Sequence, residues 1–182
     1  MDQLNKKALI FGISGQDGSY LARLLHKKNY NIHGTSRNAS SNSFRNLKQF
    51  KIYNDIWFHT VNPTDKQNVI DTIKRIKPQE IYNLSGQSSV SNSFLDPQET
   101  FNSITQVSLN ILEAIKLLNL DCKFYNASSS ECFGDTGDIP SNETTSFNPC
   151  SPYGIAKSSA FWLTKNYRDT HNIFACSGIL FN

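Results

Sequence analysis

Lys7-Ala8-Leu9-Ile10-Phe11 is a strand-like run that passes directly into Gly12-Ile13-Ser14-Gly15-Gln16-Asp17-Gly18, and a helical pattern begins at once. A strand that turns through three regularly spaced glycines into a helix is the arrangement that holds a phosphate. Glycine removes the Cβ that would block a tight turn and lets backbone N–H groups approach an anion closely. The helix, expected over about residues 16–28 with Leu21, Leu24 and Leu25 on its apolar stripe, points its positive end at the same place. Ile13, Ser14, Gln16 and Asp17 therefore join Gly12, Gly15 and Gly18 as candidate cofactor-side residues. The order of strand, turn and helix carries this reading more than the glycine spacing does.

Strand and helix signals alternate through the rest of the chain, which predicts an α/β fold with a doubly wound parallel sheet covered on both faces. A second strand is expected at Tyr30–Ser36, followed by a polar loop over residues 37–46. A third is expected at Ile56–Val61. Thr64-Asp65-Lys66-Gln67 then reads as a capping box ahead of Val69, Ile70, Ile73 and Ile76, and Pro78 stops that helix. Glu80–Leu84 is the fourth strand, with a small polar loop from Ser85 to Ser93. Asp96-Pro97-Gln98-Glu99 starts a long amphipathic helix to about Leu120, with Asp as N-cap and Pro at the first helical position. Lys123–Ala127 is the fifth strand, Ser151-Pro152 opens a helix to about His171, and Phe174–Leu180 is the sixth strand. In such sheets the ligand sits outside the carboxyl ends of the strands. The glycine turn, Arg37, the segment Leu84-Ser85-Gly86-Gln87-Ser88 and the segment from Ser128 to Glu131 all fall there.

Composition excludes several classes of function. Of 182 residues, 38% are hydrophobic and 18% charged, and no apolar run approaches the length of a membrane span. The first residues lack the apolar region of a signal peptide, so the expected location is cytoplasmic. The net charge of +3 reads as modest and spread along the chain, so neither nucleic acid nor membrane is an expected partner. The four cysteines show no C-x-x-C spacing and read as free thiols, and the four histidines lie without partners at ligand spacing, so no metal is expected. The 182 residues are expected to form one dinucleotide-binding domain that also carries the catalytic residues.

Tyr153 and Lys157 stand four residues apart, hence on one helix face one turn apart. An ammonium beside a phenol favours the phenolate and is expected to lower the tyrosine pKa toward the working pH, making Tyr153 a general acid or base for a carbinol or carbonyl.

With these pieces in place the chain resembles the extended short-chain dehydrogenase/reductase superfamily, which implies a Rossmann-type fold. The resemblance rests on Gly12, Gly15 and Gly18, on Tyr153 with Lys157, and on the serine-rich segment after the fifth strand. Within that superfamily it is most similar to the GDP-mannose 4,6-dehydratase family. The matching stretches are residues 12–21, 80–84, 127–131, 151–157 and 178–182. They cover essentially all of this chain but about the first half of such an enzyme; the later substrate-binding part is absent from it.

The resemblance implies roles residue by residue. Ser129 stands where the family has a catalytic threonine, Glu131 falls on its glutamate, and Tyr153 and Lys157 on its tyrosine and lysine. Glu131 is the discriminating member, because related epimerases and reductases need no carboxylate there. The resemblance further places Ser88, Ser129, Glu131 and Asn182 at a nucleotide-sugar substrate, GDP-mannose, and Lys157 also at the cofactor. Asn62-Pro63 replaces an Asp-Leu pair at the adenine. Asn38 replaces a second arginine, Ser85-Gly86-Gln87-Ser88-Ser89 replaces Gly-Ala-Gln-Ser-His, and Glu99 and Cys150 are further departures. Arg37, at the end of the second strand where an acid would bind the ribose of NAD, suits the 2′-phosphate of NADP. The implied activity is loss of water from the sugar with internal hydride transfer through NADP. The alternatives are a nucleotide-sugar epimerase or 4-keto reductase, and a truncated or degenerate, non-catalytic dinucleotide-binding protein. Relatives pair through the helix from Pro97 and the helix bearing Tyr153, so a homo-oligomer is expected.

Overall fold

The computed structural model describes residues 6–41 and 43–181. Its elements, in chain order, are β1 (Lys7–Phe11), α1 (Gln16–Lys27), β2 (Asn31–Ser36), α2 (Arg45–Gln49), β3 (Ile56–Thr60), α3 (Lys66–Ile76), β4 (Glu80–Asn83), α4 (Val90–Leu95), α5 (Pro97–Phe101), α6 (Val107–Leu117), β5 (Lys123–Ser129), α7 (Pro152–His171) and β6 (Ala175–Leu180). A π-helical turn, Asn102–Gln106, joins α5 to α6, and 3₁₀ turns occupy Tyr53–Asp55 and Ser130–Cys132.

All six strands are parallel, in the order β3-β2-β1-β4-β5-β6. The order reverses between β1 and β4, and such a switch point opens a crevice at the carboxyl ends of the two strands. β1 shows why its sequence is apolar from Ala8 to Phe11: alternate residues serve opposite faces, and both faces are covered. Leu9 and Phe11 enter the core beneath α3, α6 and α7 with Ile73, Ile81, Ile111 and Phe124. Ala8 and Ile10 enter the core beneath α1 and α2 with Ala22, Leu25, Ile32 and Leu47. Each fully buried large aliphatic side chain here contributes roughly 1.5–3 kcal/mol relative to exposure.

The doubly wound sheet expected from sequence is present, with local differences. The loop expected over residues 37–46 gives way to α2, whose Leu47 is fully buried and is held by packing rather than by any periodic run. The small polar loop after β4 closes earlier than expected, because Ser89 caps α4 by accepting from the Asn92 N–H at 3.2 Å. The N-cap of α3 is Asp65, not Thr64, since its carboxylate accepts from the Asn68 N–H. Thr64 instead donates to Asn62 Oδ1 through both its amide and its hydroxyl. The long helix from Pro97 is interrupted by the π turn, and β5 runs two residues further than expected, to Ser129.

The cysteines are free thiols, with Cys122 and Cys132 buried and Cys150 and Cys176 exposed. Among the described residues no group of three metal-ligating side chains forms, and no helix is long and apolar enough to cross a membrane. Three of the histidines are satisfied by hydrogen-bond partners. His33 Nδ1 lies 3.0 Å from His59 Nε2 across β2 and β3, and His26 lies 3.0 Å from Asp55. Neighbouring strands bring together residues far apart in sequence, which no reading of local spacing reveals.

Candidate active site

The β1–α1 turn owes its shape to two contacts. Gly12 adopts φ +84°, and a Cβ there would lie 2.6 Å from the Leu84 carbonyl oxygen, so the turn rests against the end of β4. A Cβ on Gly18 would lie 2.3 Å from the Gly12 carbonyl oxygen, so α1 folds back directly onto the turn. Gly15 is the N-cap of α1 and makes no side-chain cap bond, which leaves the helix N-terminus for another acceptor. Ile13, by contrast, is fully buried, and its side chain fills the space that a Cβ on Gly34 would need.

A cavity of about 710 Å³ opens over this turn at the switch between β1 and β4. Of the expected cofactor residues, Gly12, Ser14, Gly15, Arg37, Asn62, Pro63, Leu84, Ser85, Gly86 and Gln87 line it, whereas Ile13, Gln16 and Gly18 do not. Its other wall comes from the α5–α6 arm, through Glu99, Ser103 and Val107. A second cavity of about 120 Å³ shares the Leu84–Gln87 wall and adds Asp17, Ser88, Ser129, Tyr153 and Lys157. The two cavities thus join the phosphate-type turn to the Tyr–Lys pair across one loop. That loop is braced on the π turn: Gly86, at φ +116°, leaves only 3.0 Å between a Cβ and the Ser103 carbonyl, and the Gln87 side chain donates to Thr100 Oγ1 at 3.1 Å. Thr105 in the same turn donates to the Ala156 carbonyl at 3.0 Å, tying it to α7. π turns of this kind are frequent at functional sites.

Within the second cavity Ser129 ends β5 and its hydroxyl hydrogen-bonds the Tyr153 phenol. The Glu131 amide donates to the same Ser129 oxygen at 3.3 Å. Gly154 allows α7 to approach this turn, since a Cβ there would lie 2.6 Å from the Glu131 carbonyl. The Glu131 side chain is half-buried and lies outside the lining of both cavities. Asn182 lies outside the described residues.

The electrostatics differ from the sequence expectation. Burial raises the Tyr153 pKa above its ordinary value, opposed by the Ser129 hydrogen bond and reinforced by Cys132 and Glu131. The lowering expected from Lys157 is not found. The ammonium is itself buried, donates to the Ala127 carbonyl at 2.9 Å, and stands 5.7 Å from the tyrosine ring centre. Burial pulls the Lys157 pKa down to about 8.

One supporting element escaped the sequence reading. Asn83, at the end of β4, and Asn126, its register partner in the middle of β5, form a buried network with Ser108 of α6: the Asn83 amide donates to Asn126 Oδ1 at 2.9 Å and to Ser108 at 3.2 Å. Asn83 Oδ1 accepts from the Ser85 hydroxyl at 2.7 Å, which anchors the shared loop. The signal was the Tyr-Asn pair that recurs in both strands, Tyr82-Asn83 and Tyr125-Asn126.

Fold and site together define an extended short-chain dehydrogenase/reductase. The chain is similar in structure to the UDP-Glc/GlcNAc 4-epimerase of Campylobacter jejuni, with a TM-score of 0.85 at 22% identity over 97% of this chain and 53% of that one. It is also similar to the L-threonine dehydrogenase of Clostridium difficile, with a TM-score of 0.82 at 26% identity over the same shares. The family model for GDP-mannose 4,6 dehydratase matches residues 9–182, and the chain belongs to that family. Its relatives include the GDP-mannose 4,6-dehydratase of Yersinia enterocolitica, 47% identical over 97% of this chain and 50% of the relative, and that of Homo sapiens, 43% identical over 96% and 49%. The chain spans about half the length of the curated relatives it matches.

Proposed function

We propose that residues 1–182 form the NADP-binding, catalytic part of a GDP-mannose 4,6-dehydratase. The observation that carries this reading is the wall that the two cavities share: Leu84–Gln87 lines both the cavity of the glycine turn with Arg37 and that of Ser129, Tyr153 and Lys157. The residues fit a dinucleotide phosphate, because the turn holds glycine at two positions where a Cβ would strike backbone and offers an uncapped helix N-terminus. Gly12, Ser14 and Gly15 would hold the diphosphate, and Arg37 a 2′-phosphate. Bound NADP would supply the acceptor and donor for a hydride.

The chain's own residues account for the proton movements. Tyr153 takes the proton from the sugar 4-hydroxyl while Ser129, already bonded to the phenol, hydrogen-bonds the 4-oxygen. Lys157, held on the Ala127 carbonyl beside Tyr153, would hold the ribose of the cofactor. Once C4 is a ketone the neighbouring C5–H is acidic, and Glu131 removes that proton and delivers one to the departing 6-hydroxyl, releasing water. With a hydride returned to C6 and the proton that Tyr153 took returned to C5, the net change would be loss of one water from the sugar, with NADP regenerated. Glu131 distinguishes this chemistry from epimerisation, which requires no carboxylate at that position.

Calorimetric titration with NADP and NAD tests the reading. NADP is expected to bind at least tenfold more tightly, and Arg37→Asp to reverse that order. Unchanged relative affinity in Arg37→Asp would overturn the assignment of Arg37. Failure of either dinucleotide to bind the unsubstituted chain would overturn the proposal as a whole.

A further inference from the structure

The positive charge is not spread along the chain as the composition implies. Seven of the eighteen Lys and Arg but only two of the fifteen Asp and Glu lie between residues 16 and 55. Of those two acids, Asp17 lines the second cavity and Asp55 is occupied by His26. α1 and α2 pack against each other, and their outer surface carries Arg23, Lys27, Lys28, Arg45, Lys48 and Lys51, all exposed. Among the described residues none of these six cations has a carboxylate within 4.0 Å; the ion pairs present use cations from other parts of the chain or His26. Tyr20 and Leu24, 54% and 51% exposed, stand among them.

Six cations without a carboxylate partner repel one another, and an external anionic surface would offset that repulsion. The aromatic rings decide which kind. Binding of single-stranded nucleic acid needs free ring faces on which bases stack. Here Arg23 covers the Phe50 ring at 4.9 Å and Tyr20 packs on the same ring at 5.1 Å, while Tyr53 is engaged by Lys48 at 5.0 Å and Phe58 at 5.0 Å. Phe50 and Tyr53 are thus engaged by neighbouring rings and by the cations themselves. Clustered Lys and Arg on a helix, with a tyrosine and a leucine between them, is the chemistry that adheres to anionic lipid headgroups. We infer that the α1–α2 face seats this protein peripherally on an anionic membrane surface, with α1 lying against the headgroups and no segment crossing. This inference does not depend on the proposed activity.

Co-sedimentation of the 182-residue chain with vesicles tests it. Binding is expected to phosphatidylcholine vesicles containing roughly one-third phosphatidylserine and not to phosphatidylcholine alone, and to weaken as salt is raised. Lys27→Glu/Arg45→Glu is expected to weaken binding by tenfold or more, at about one kcal/mol per basic residue. Lys74→Glu/Lys77→Glu, with the same change in net charge on α3 and the turn after it, is expected to bind as the unsubstituted chain does. Circular dichroism of each variant establishes that it is folded. Equal binding to both vesicle types, no binding to either, or equal loss in both double variants would overturn the inference. Tight binding to duplex DNA, with none to anionic vesicles, would reassign the face to nucleic acid.

Discussion

Gly18→Ala and Gly15→Ala separate two glycines that look equivalent in the sequence. At Gly18 a Cβ would sit 2.3 Å from the Gly12 carbonyl oxygen, 2.8 Å from Ile13 Cα and 2.9 Å from the Gly12 carbonyl carbon, all backbone atoms. To reach even 3.0 Å the turn has to open by about 0.7 Å, and overpacking of this kind costs roughly 3 kcal/mol at its upper range. Alanine in a helix interior regains about 1 kcal/mol over glycine, which leaves a net loss of about 2 kcal/mol. For a chain of this size that loss lowers Tm by about 4–8 °C. At Gly15 the nearest atom to a Cβ is the Gly12 oxygen at 3.4 Å, an ordinary contact, so Gly15→Ala is expected to stay within about 1 kcal/mol of the unsubstituted chain. Thermal unfolding without dinucleotide, followed by circular dichroism, reads both variants, and NADP titration is expected to show at least a tenfold loss for Gly18→Ala. A Gly18→Ala chain as stable as the original, or a Gly15→Ala chain damaged to the same degree, would refute the contact argument.

Two pH effects follow from buried cations. Burial, with His59, Lys7 and Arg75 nearby, holds His33 down at about 4, so the unfolded chain binds more protons between pH 4 and 6.5 and stability falls as pH drops through that window. Urea unfolding of His33→Gln is expected to show a shallower loss between pH 6.5 and 4, and an unchanged slope would remove His33 from the account. Lys157, pulled from 10.5 to about 8, works in the same sense at higher pH: stability rises once pH passes 8, by at most about 3 kcal/mol over the full interval. The comparison with Lys157→Met is best made between pH 8 and 9, because Cys122, raised to about 12, opposes the trend above its unfolded value. Parallel curves for the two chains in that range would show that the ammonium is not desolvated as described.

The site was legible in sequence where function depends on backbone conformation or on residues one helical turn apart. The glycine turn, the Ser151 cap ahead of Tyr153 and the Tyr153–Lys157 spacing are local facts, and the structure holds Tyr153 and Lys157 on one cavity wall. The alternation of strand and helix signals likewise announced a parallel sheet with two covered faces. Three things were decided only when distant segments met. The Lys157 ammonium bonds the Ala127 carbonyl, thirty residues away, so desolvation and not a neighbouring charge governs Tyr153. His33 finds His59, two residues along β3 from its register partner Trp57, and Asn83 finds its register partner Asn126, because parallel pairing brings separate strands together. The six cations of α1 and α2 become one face because the two helices pack on the same side of the sheet. Local sequence determines backbone preference and which face of an element is apolar; the dielectric around a charge and the partner of a polar group are properties of the assembled neighbourhood, and only the tertiary structure sets them.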